Sequence, residues 1–209
     1  MDLPDGRLFI GGTWEEGAGA EIVSTFPADG SHNVTLKGAS REDGFRAIER
    51  AKSAQPAWGA LKAHERARVL TRISDGISEN IDRISRIQSR DTGKTLGETA
   101  ALATSAAGTF RYFASVAETW DDLVTAQRGD ALTLSTHEPL GLVAAITPWN
   151  SPIASDAQKL APALAAGNAV LLKPASWSPL TALELARICD EAGLPPGLLS
   201  VLPGKGAEI

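Results

Sequence analysis

Residues 140–203 read "LGLVAAITPWNSPIASDAQKLAPALAAGNAVLLKPASWSPLTALELARICDEAGLPPGLLSVLP". Three apolar runs stand out in it, 140–147, 169–173 and 197–203. Each is too short for a helix and lacks polar alternation, as a strand buried on both faces requires. The segment 151–167 between the first two opens on Ser151-Pro152, an N-cap followed by proline at N1, and stops at Gly167-Asn168. The segment 178–193 repeats the device, with a Ser-Pro start and a Gly stop. The order is β-α-β-α-β with short loops. It predicts half of a doubly wound, Rossmann-like parallel sheet of the α/β class, with right-handed crossovers.

Upstream the pattern differs. "ALTLSTH" at 131–137 alternates as a half-exposed strand. Before it, Leu70, Ile73, Ile77, Ile81, Ile84 and Ile87 recur at helical spacing; Gly76 is expected to kink or divide that stretch and Gly93 to end it. A further helix, "TLGETAALATSAAGTFRYFASVAETW", sets Phe110, Phe113, Ala117 and Trp120 on one face, read as core packing. Ser40 and Asp43 form a capping-box pair ahead of "GFRAIERAKSAQPAW". The opening pieces "RLFIGGTWEE" and "EIVSTFPADG" read as strands joined by turns.

In an open parallel sheet, ligands bind beyond the carboxyl ends of the strands. Here the first strand runs into Thr147-Pro148-Trp149-Asn150, the second ends on Lys173 before Pro174-Ala175-Ser176, and the third meets Gly204-Lys205-Gly206. An amide donor, a cation able to reach phosphate or ribose oxygens, and a Gly-x-Gly open to close approach share one rim. Taken singly, a rigid turn, a solvated strand end and an ordinary loop explain them equally well. Together on one edge they favour a site.

Composition narrows the classes. A net charge of −5 with scattered Lys and Arg argues against a nucleic-acid surface. "MDLPDGRLFIGG" has neither the basic nor the apolar region of a secretory signal, and no apolar run nears membrane-spanning length. The lone Cys189 excludes an internal disulfide framework, so the expected setting is cytoplasmic and the sequon Asn33-Val34-Thr35 is read as chance. His32, His64 and His137 lack metal-ligand spacing, and no metal site is expected. Cys189, within "LELARICDEAG", reads as a buried structural thiol, and Glu184 and Glu191 as solvated helix charges.

Residues 137–206 closely resemble the NAD(P)-dependent aldehyde dehydrogenase superfamily, through the Pro-Trp-Asn corner, "KLAPALAAGNAVLLKPA" and "EAGLPPGLLSVLPGKG". "LFIGGTW", "AWGALKAHERARVL" and "DTGKTLGE" extend the likeness over nearly the whole chain. The resemblance implies that residues 1–130 are N-terminal strands and helices packing on the cofactor domain. It makes 131–139 an oligomerisation-type strand and 140–209 the first half of the NAD(P)-binding sheet. By that resemblance the catalytic domain is expected to be absent from this chain, leaving the fold incomplete relative to the family and the sheet with an unfilled edge. Asn150 would be the oxyanion donor for a cysteine attacking an aldehyde, its amide held by the prolines and Trp149. Ile146, Thr147, Pro148 and Trp149 would line the cofactor cleft. Lys173 would bind the adenosine ribose beside Ala175, and Gly206 would let the adenine approach. Ser176 stands where NAD-preferring members carry a ribose-gripping glutamate, so NADP as well as NAD is expected to bind.

By the same resemblance, the cysteine nucleophile, the deacylating glutamate and a second glycine motif are missing. The expectation is NAD(P)-dependent oxidation of a small aldehyde by a full-length, homodimeric or homotetrameric enzyme, with this chain inactive alone. The competing reading is a truncated, non-catalytic module that binds cofactor or associates with longer subunits. Phe110, Phe113 and Trp120 are compatible with an aldehyde entrance as well as with core packing.

Overall fold

A computed structural model describes residues 2–126 and 129–209; the end of the 1–130 segment around residues 127 and 128 lies outside them. The chain opens with two hairpins, β1 (Leu8–Ile10) with β2 (Thr13–Glu15) and β3 (Glu21–Thr25) with β4 (His32–Lys37). Helices α1 (Arg41–Gly59), α2 (Ala63–Glu79), α3 (Ile81–Thr92) and α4 (Leu96–Thr119) come next. A short ribbon, β5 (Leu123–Val124) against β6 (Leu134–Ser135), leads into β7 (Leu142–Ile146), α5 (Pro152–Ala165), β8 (Ala169–Lys173), α6 (Leu180–Glu191) and β9 (Leu199–Val201).

The main sheet has the order β2-β1-β9-β8-β7. β8 pairs parallel to both β7 and β9, from Leu142↔Ala169 to Ile146↔Lys173 on one side and from Val170↔Leu199 on the other. The N-terminal hairpin adds itself antiparallel to β9 through Phe9↔Val201, so β7 keeps an unpaired side among the described residues. Ile10 and Thr13 face each other across Gly11 and Gly12, at φ +52° and +92°. A two-residue turn with both central residues at positive φ admits glycine readily and bulkier residues poorly.

The period-two alternation of the strands divides the core. Phe9, Val170, Leu172 and Val201 join the large cluster with α2, α4, α5 and α6, whereas Leu8, Ile10 and Leu202 meet Ala39 and Ala47 on the opposite face. Three side chains of the N-terminal helices fasten the C-terminus of α5. Trp58 Nε1 donates to the Leu164 carbonyl at 3.0 Å, Gln55 Nε2 to that of Gly167 at 2.9 Å and Arg66 Nε to that of Ala165 at 3.0 Å. Helix-end carbonyls buried in a core need such partners.

Several expectations are met. Ser40 and Asp43 form a reciprocal capping box, and Gly93 caps α3 in the left-handed region at φ +76°. Others are corrected. Gly76 does not divide the isoleucine stripe: the break falls at Asn80, and Gly76 lies inside α2, where a Cβ would stand 2.9 Å from Ile188 Cγ2 of α6. That glycine serves close helix approach. Trp120 lies beyond the last turn of α4, 63% exposed and edge-on to His137, off the face of Phe110. Within 131–137 the strand proper is only Leu134–Ser135, with an isolated bridge at Ala131, and Leu132 and Leu134 face solvent. Strand β7 buries only Ala145 fully and leaves Ile146 72% exposed, because it is the outermost strand. The Ser151 hydroxyl makes no capping bond. For α6 the cap comes from elsewhere, since Asp91 Oδ2 accepts from both the Thr181 N–H and its hydroxyl at 2.8 Å.

The charges of α6 also depart from expectation. Glu191 is exposed, but the Glu184 side chain is 1% exposed and shared between Arg83 Nε at 2.8 Å and Arg187 Nη2 at 2.6 Å. Burial pushes its pKa up, and the hydrogen bonds from Arg187 and Arg83 outweigh that and hold it below the ordinary value. Helix periodicity alone does not reveal the arginine on α3. Replacing Glu184 by Ala is expected to cost roughly 3 kcal/mol, near the lower end for a broken buried pair because both arginines can turn to solvent. Glu191→Ala should cost less than about 1 kcal/mol. Urea midpoints measure both, and equal effects would refute the assigned difference.

Asp91 and Asp156 are buried acids with no salt bridge among the described residues. Desolvation raises each pKa to about 7; for Asp91 the hydrogen bonds from Thr181 oppose it and the nearby Asp156 carboxyl adds to it. A raised acid pKa contributes stability that is complete below the unfolded value and lost as pH rises through the folded one. Stability is therefore expected to fall between about pH 5 and pH 7, by about 1.4 kcal/mol per pH unit for each proton held only in the fold. Denaturant titrations across that range check this, and Asp156→Asn should remove part of the slope; an unchanged slope would refute the assignment.

Candidate functional site

Parallel pairing puts the carboxyl ends of β7, β8 and β9 on one edge, and the structure brings all three predicted clusters together there. Thr147 N–H donates to the Lys173 carbonyl at 3.2 Å, continuing the β7–β8 ladder by one step. Ser178 Oγ donates to the Trp149 carbonyl at 3.4 Å, tying the second cluster to the first. Ser176 Oγ donates to the Gly204 carbonyl at 3.0 Å, tying it to the third. The rim is a hydrogen-bonded unit.

Each sequence-derived residue can be placed on it. Ile146, Pro148, Trp149 and Asn150 are exposed, while Thr147 is buried beneath them. The Asn150 amide has no hydrogen-bond partner among the described residues and faces solvent beside the Trp149 ring, which is 58% exposed. The chain turns back into α5 at Pro152, so the corner is bounded by two prolines whose φ is fixed near −65°. Among the described residues Lys173 Nζ bonds only the Pro174 carbonyl, at 3.2 Å. Desolvation of its stem lowers its pKa from the ordinary lysine value. Ala175 and Ser176 are half-buried and Gly206 is exposed. A Cβ on Gly206 would come to 3.9 Å from Lys173 Cε, so open backbone lies against the lysine stem.

Sequence reasoning missed the neighbours of this rim. A cleft of about 710 Å³ opens between the β3–β4 hairpin, at Val23 and Thr25, and Asp91, Trp149, Ser176 and Trp177. No local pattern brings that hairpin to the rim. A signal for Asp156 did exist, because a carboxylate one turn from Ile153 and from Leu160 interrupts an apolar helix face. Cys189 is fully buried, and burial first and then Asp190 hold its thiol far above the ordinary range, which removes it as a nucleophile. Among the described residues no group of three or more His, Cys, Asp and Glu could hold a metal ion, and no helix is long and apolar enough to cross a membrane.

Residues 14–209 match the model of the aldehyde dehydrogenase family. An aldehyde dehydrogenase from Brucella melitensis biovar abortus 2308 is 36% identical, with a TM-score of 0.95 over 99% of this chain and 43% of its own. An NADP-dependent enzyme from E. coli is 33% identical, with a TM-score of 0.95 over 99% of this chain and 44% of its own. A betaine aldehyde dehydrogenase from Staphylococcus aureus, solved with NAD+, is 32% identical, with a TM-score of 0.93 over 99% and 42%. The chain thus spans less than half the length of the structures it matches. By its sequence and by its fold, it belongs to the aldehyde dehydrogenase family.

Proposed function

We propose that this chain supplies the dinucleotide-binding and oxyanion-binding rim of an enzyme that oxidises an aldehyde to a carboxylic acid with NAD or NADP. The observation that carries the reading is the linked rim itself: Asn150, Lys173, Ser176 and Gly206 on one sheet edge, held by the Ser176–Gly204 and Ser178–Trp149 bonds. The residues fit a dinucleotide. Ile146 and Trp149 offer exposed apolar surface to a ring, Lys173 is a cation bonded among the described residues only to a neighbouring carbonyl, and Gly206 leaves backbone open beside it. A bound dinucleotide would supply the two-electron acceptor.

The chain's own residues have separable tasks in this reading. Lys173 grips the ribose, aided by the backbone at Ala175. Thr147 and Pro148 shape the cleft wall. Asn150 donates its amide to the oxyanion that forms when a thiolate adds to the aldehyde; a fixed neutral donor favours that developing charge at little reorganisation cost. The only cysteine of the chain is buried Cys189, so the 209 residues alone hold no accessible thiol and should not turn over aldehydes. Loss of one oxyanion donor lowers kcat by about 10²–10³, the drop expected for Asn150→Ala in an assembled, active enzyme.

Subunit association, as a homodimer or homotetramer, is assigned to the β5–β6 ribbon, where Leu123, Val124, Leu132 and Leu134 are each more than half exposed. The same observation favours the second reading, a non-catalytic module associating with longer subunits. The lone thiol fits a reducing, cytoplasmic setting.

Calorimetric titration of the chain with NAD and NADP tests the proposal. Binding should weaken by roughly tenfold or more in Lys173→Ala, the cost of one lost hydrogen bond to a charged group. Because Ser176 places no carboxylate at the rim, NADP should bind at least as well as NAD. Ser176→Glu should penalise NADP selectively, through repulsion of the 2′-phosphate. Absence of binding by either dinucleotide would overturn the reading, and NADP excluded by the wild-type chain would overturn the part assigned to Ser176.

A further inference from the structure

Proline at the first position of α5 has no N–H to satisfy, and Ser151, the N-cap by position, makes no side-chain capping bond. The next donor is met from another helix. The Ile153 N–H donates to Gln88 Oε1 of α3 at 3.0 Å, and both residues are 0% exposed. One turn further along α3, Asp91 Oδ2 accepts from Thr181 at the start of α6. One face of α3 therefore reaches the starts of both crossover helices, with a carboxyl for α6 and a neutral amide for α5. Gln88 uses only half of that amide, because its Nε2 is buried without a hydrogen-bond partner among the described residues. An orphaned buried donor costs free energy that an aliphatic side chain of the same reach would not, so packing alone does not account for a glutamine here.

The place of this bond in the chain gives it a consequence. Only Ser151 and Pro152 separate Ile153 from Asn150. The corner leaves the sheet where the Thr147 N–H donates to the Lys173 carbonyl at 3.2 Å, and it enters α5 where Gln88 takes the Ile153 N–H. Between these anchors Ser178 Oγ reaches the Trp149 carbonyl at 3.4 Å, the longest of the three bonds. No hydrogen bond among the described residues holds the Asn150 amide directly, so its direction is inherited from the attachments of the corner. We propose that Gln88 is a positioning residue: its side-chain carbonyl, as the cap of α5, sets the helix end of the Pro148–Asn150 corner and thereby the direction of the Asn150 amide and the Trp149 ring. The functional weight of this role rests on the reading of the corner given above; the cap itself does not.

Nuclear magnetic resonance of the full 209-residue chain tests this, with NAD and NADP titrated into the same samples. Two amides of the first turn are hydrogen-bonded, Ile153 to Gln88 and Ser155 to the Ser151 carbonyl at 2.9 Å. Gln88→Met keeps the reach of the side chain and loses the acceptor. In it, exchange at both amides should quicken by about tenfold or more, the equivalent of one lost buried hydrogen bond. The Thr147 amide and those of α2 and α4 should keep their wild-type rates. The Asn150 side-chain amide and Trp149 indole N–H signals should shift or broaden, and dinucleotide affinity should fall by up to about tenfold. Gln88→Glu keeps an acceptor at the same reach, drops the unpartnered donor and suits a helix N-terminus, so it should restore exchange, signals and affinity. A packing role predicts the reverse order, because methionine fills the space and brings no charge into the core. Gln88→Asn, shorter by one methylene, withdraws the acceptor and carries the test where Gln88→Met does not fold. Wild-type exchange at Ile153, or unmoved Asn150 and Trp149 signals, in Gln88→Met or Gln88→Asn would overturn the proposal, as would a Gln88→Glu chain no closer to wild type than Gln88→Met. If wild type binds neither dinucleotide, the functional reading falls, and the exchange rates and side-chain signals still decide the role of Gln88.

Discussion

The central constraint is that β8 pairs parallel on both sides. Parallel neighbours cannot be joined by a tight turn, so each pairing requires a crossover long enough for a helix. The chain accordingly spends α5 between β7 and β8 and α6 between β8 and β9. The same constraint points all three carboxyl ends one way. Thr147 after β7, Lys173 at the end of β8 and Gly204 after β9 share a rim because no other edge is open to them. The register Ile146↔Lys173 then sets the apolar and the cationic side chains side by side. Pairing thus yields both the helices and the juxtaposition of groups from which the site is built.

The N-terminal half completes this unit. β1 extends the sheet beyond β9, and Leu8 and Ile10 carry the smaller apolar cluster of the opposite face. Trp58, Gln55 and Arg66 hold the carbonyls at the end of α5, and Asp91 of α3 caps the start of α6. Both crossover helices therefore depend for their ends on partners more than sixty residues away in sequence, and that dependence argues for cooperative folding of the two halves.

This is also where legibility in the sequence stops. The βαβαβ order, the capping box at Ser40 and the rim residues could be read because each rests on local chemistry: period, caps, and the residue types just beyond a strand end. The division of the isoleucine stripe could not, since Gly76 is the obvious local breaker and its role is set by Ile188 of a helix far downstream. Glu184 looked solvated because its arginine partner on α3 is a hundred positions away. The exposure of β7 comes from its place at the edge of the sheet, a fact about neighbours and not about the composition of "LGLVAAI". Asp156 is the intermediate case. Its position on an apolar stripe was visible, but its complete burial without a hydrogen-bond partner among the described residues was not.

That acid shows how stability and site geometry compete here. An aliphatic residue at 156 would fill the α5 face at no desolvation cost, whereas the carboxyl must hold a proton to remain in the core. Such local conflicts in an otherwise consistent fold concentrate at functional sites. Asp156 lies on the helix into which the Pro148–Asn150 corner of the rim runs, and that corner ends in an amide unpartnered among the described residues. Two prolines restrict the backbone of that corner by covalent geometry, but they leave its attachment to the sheet free to hinge. On the sheet side that freedom is restricted by the bond from the Thr147 N–H to the Lys173 carbonyl, which is directional where an apolar contact is not.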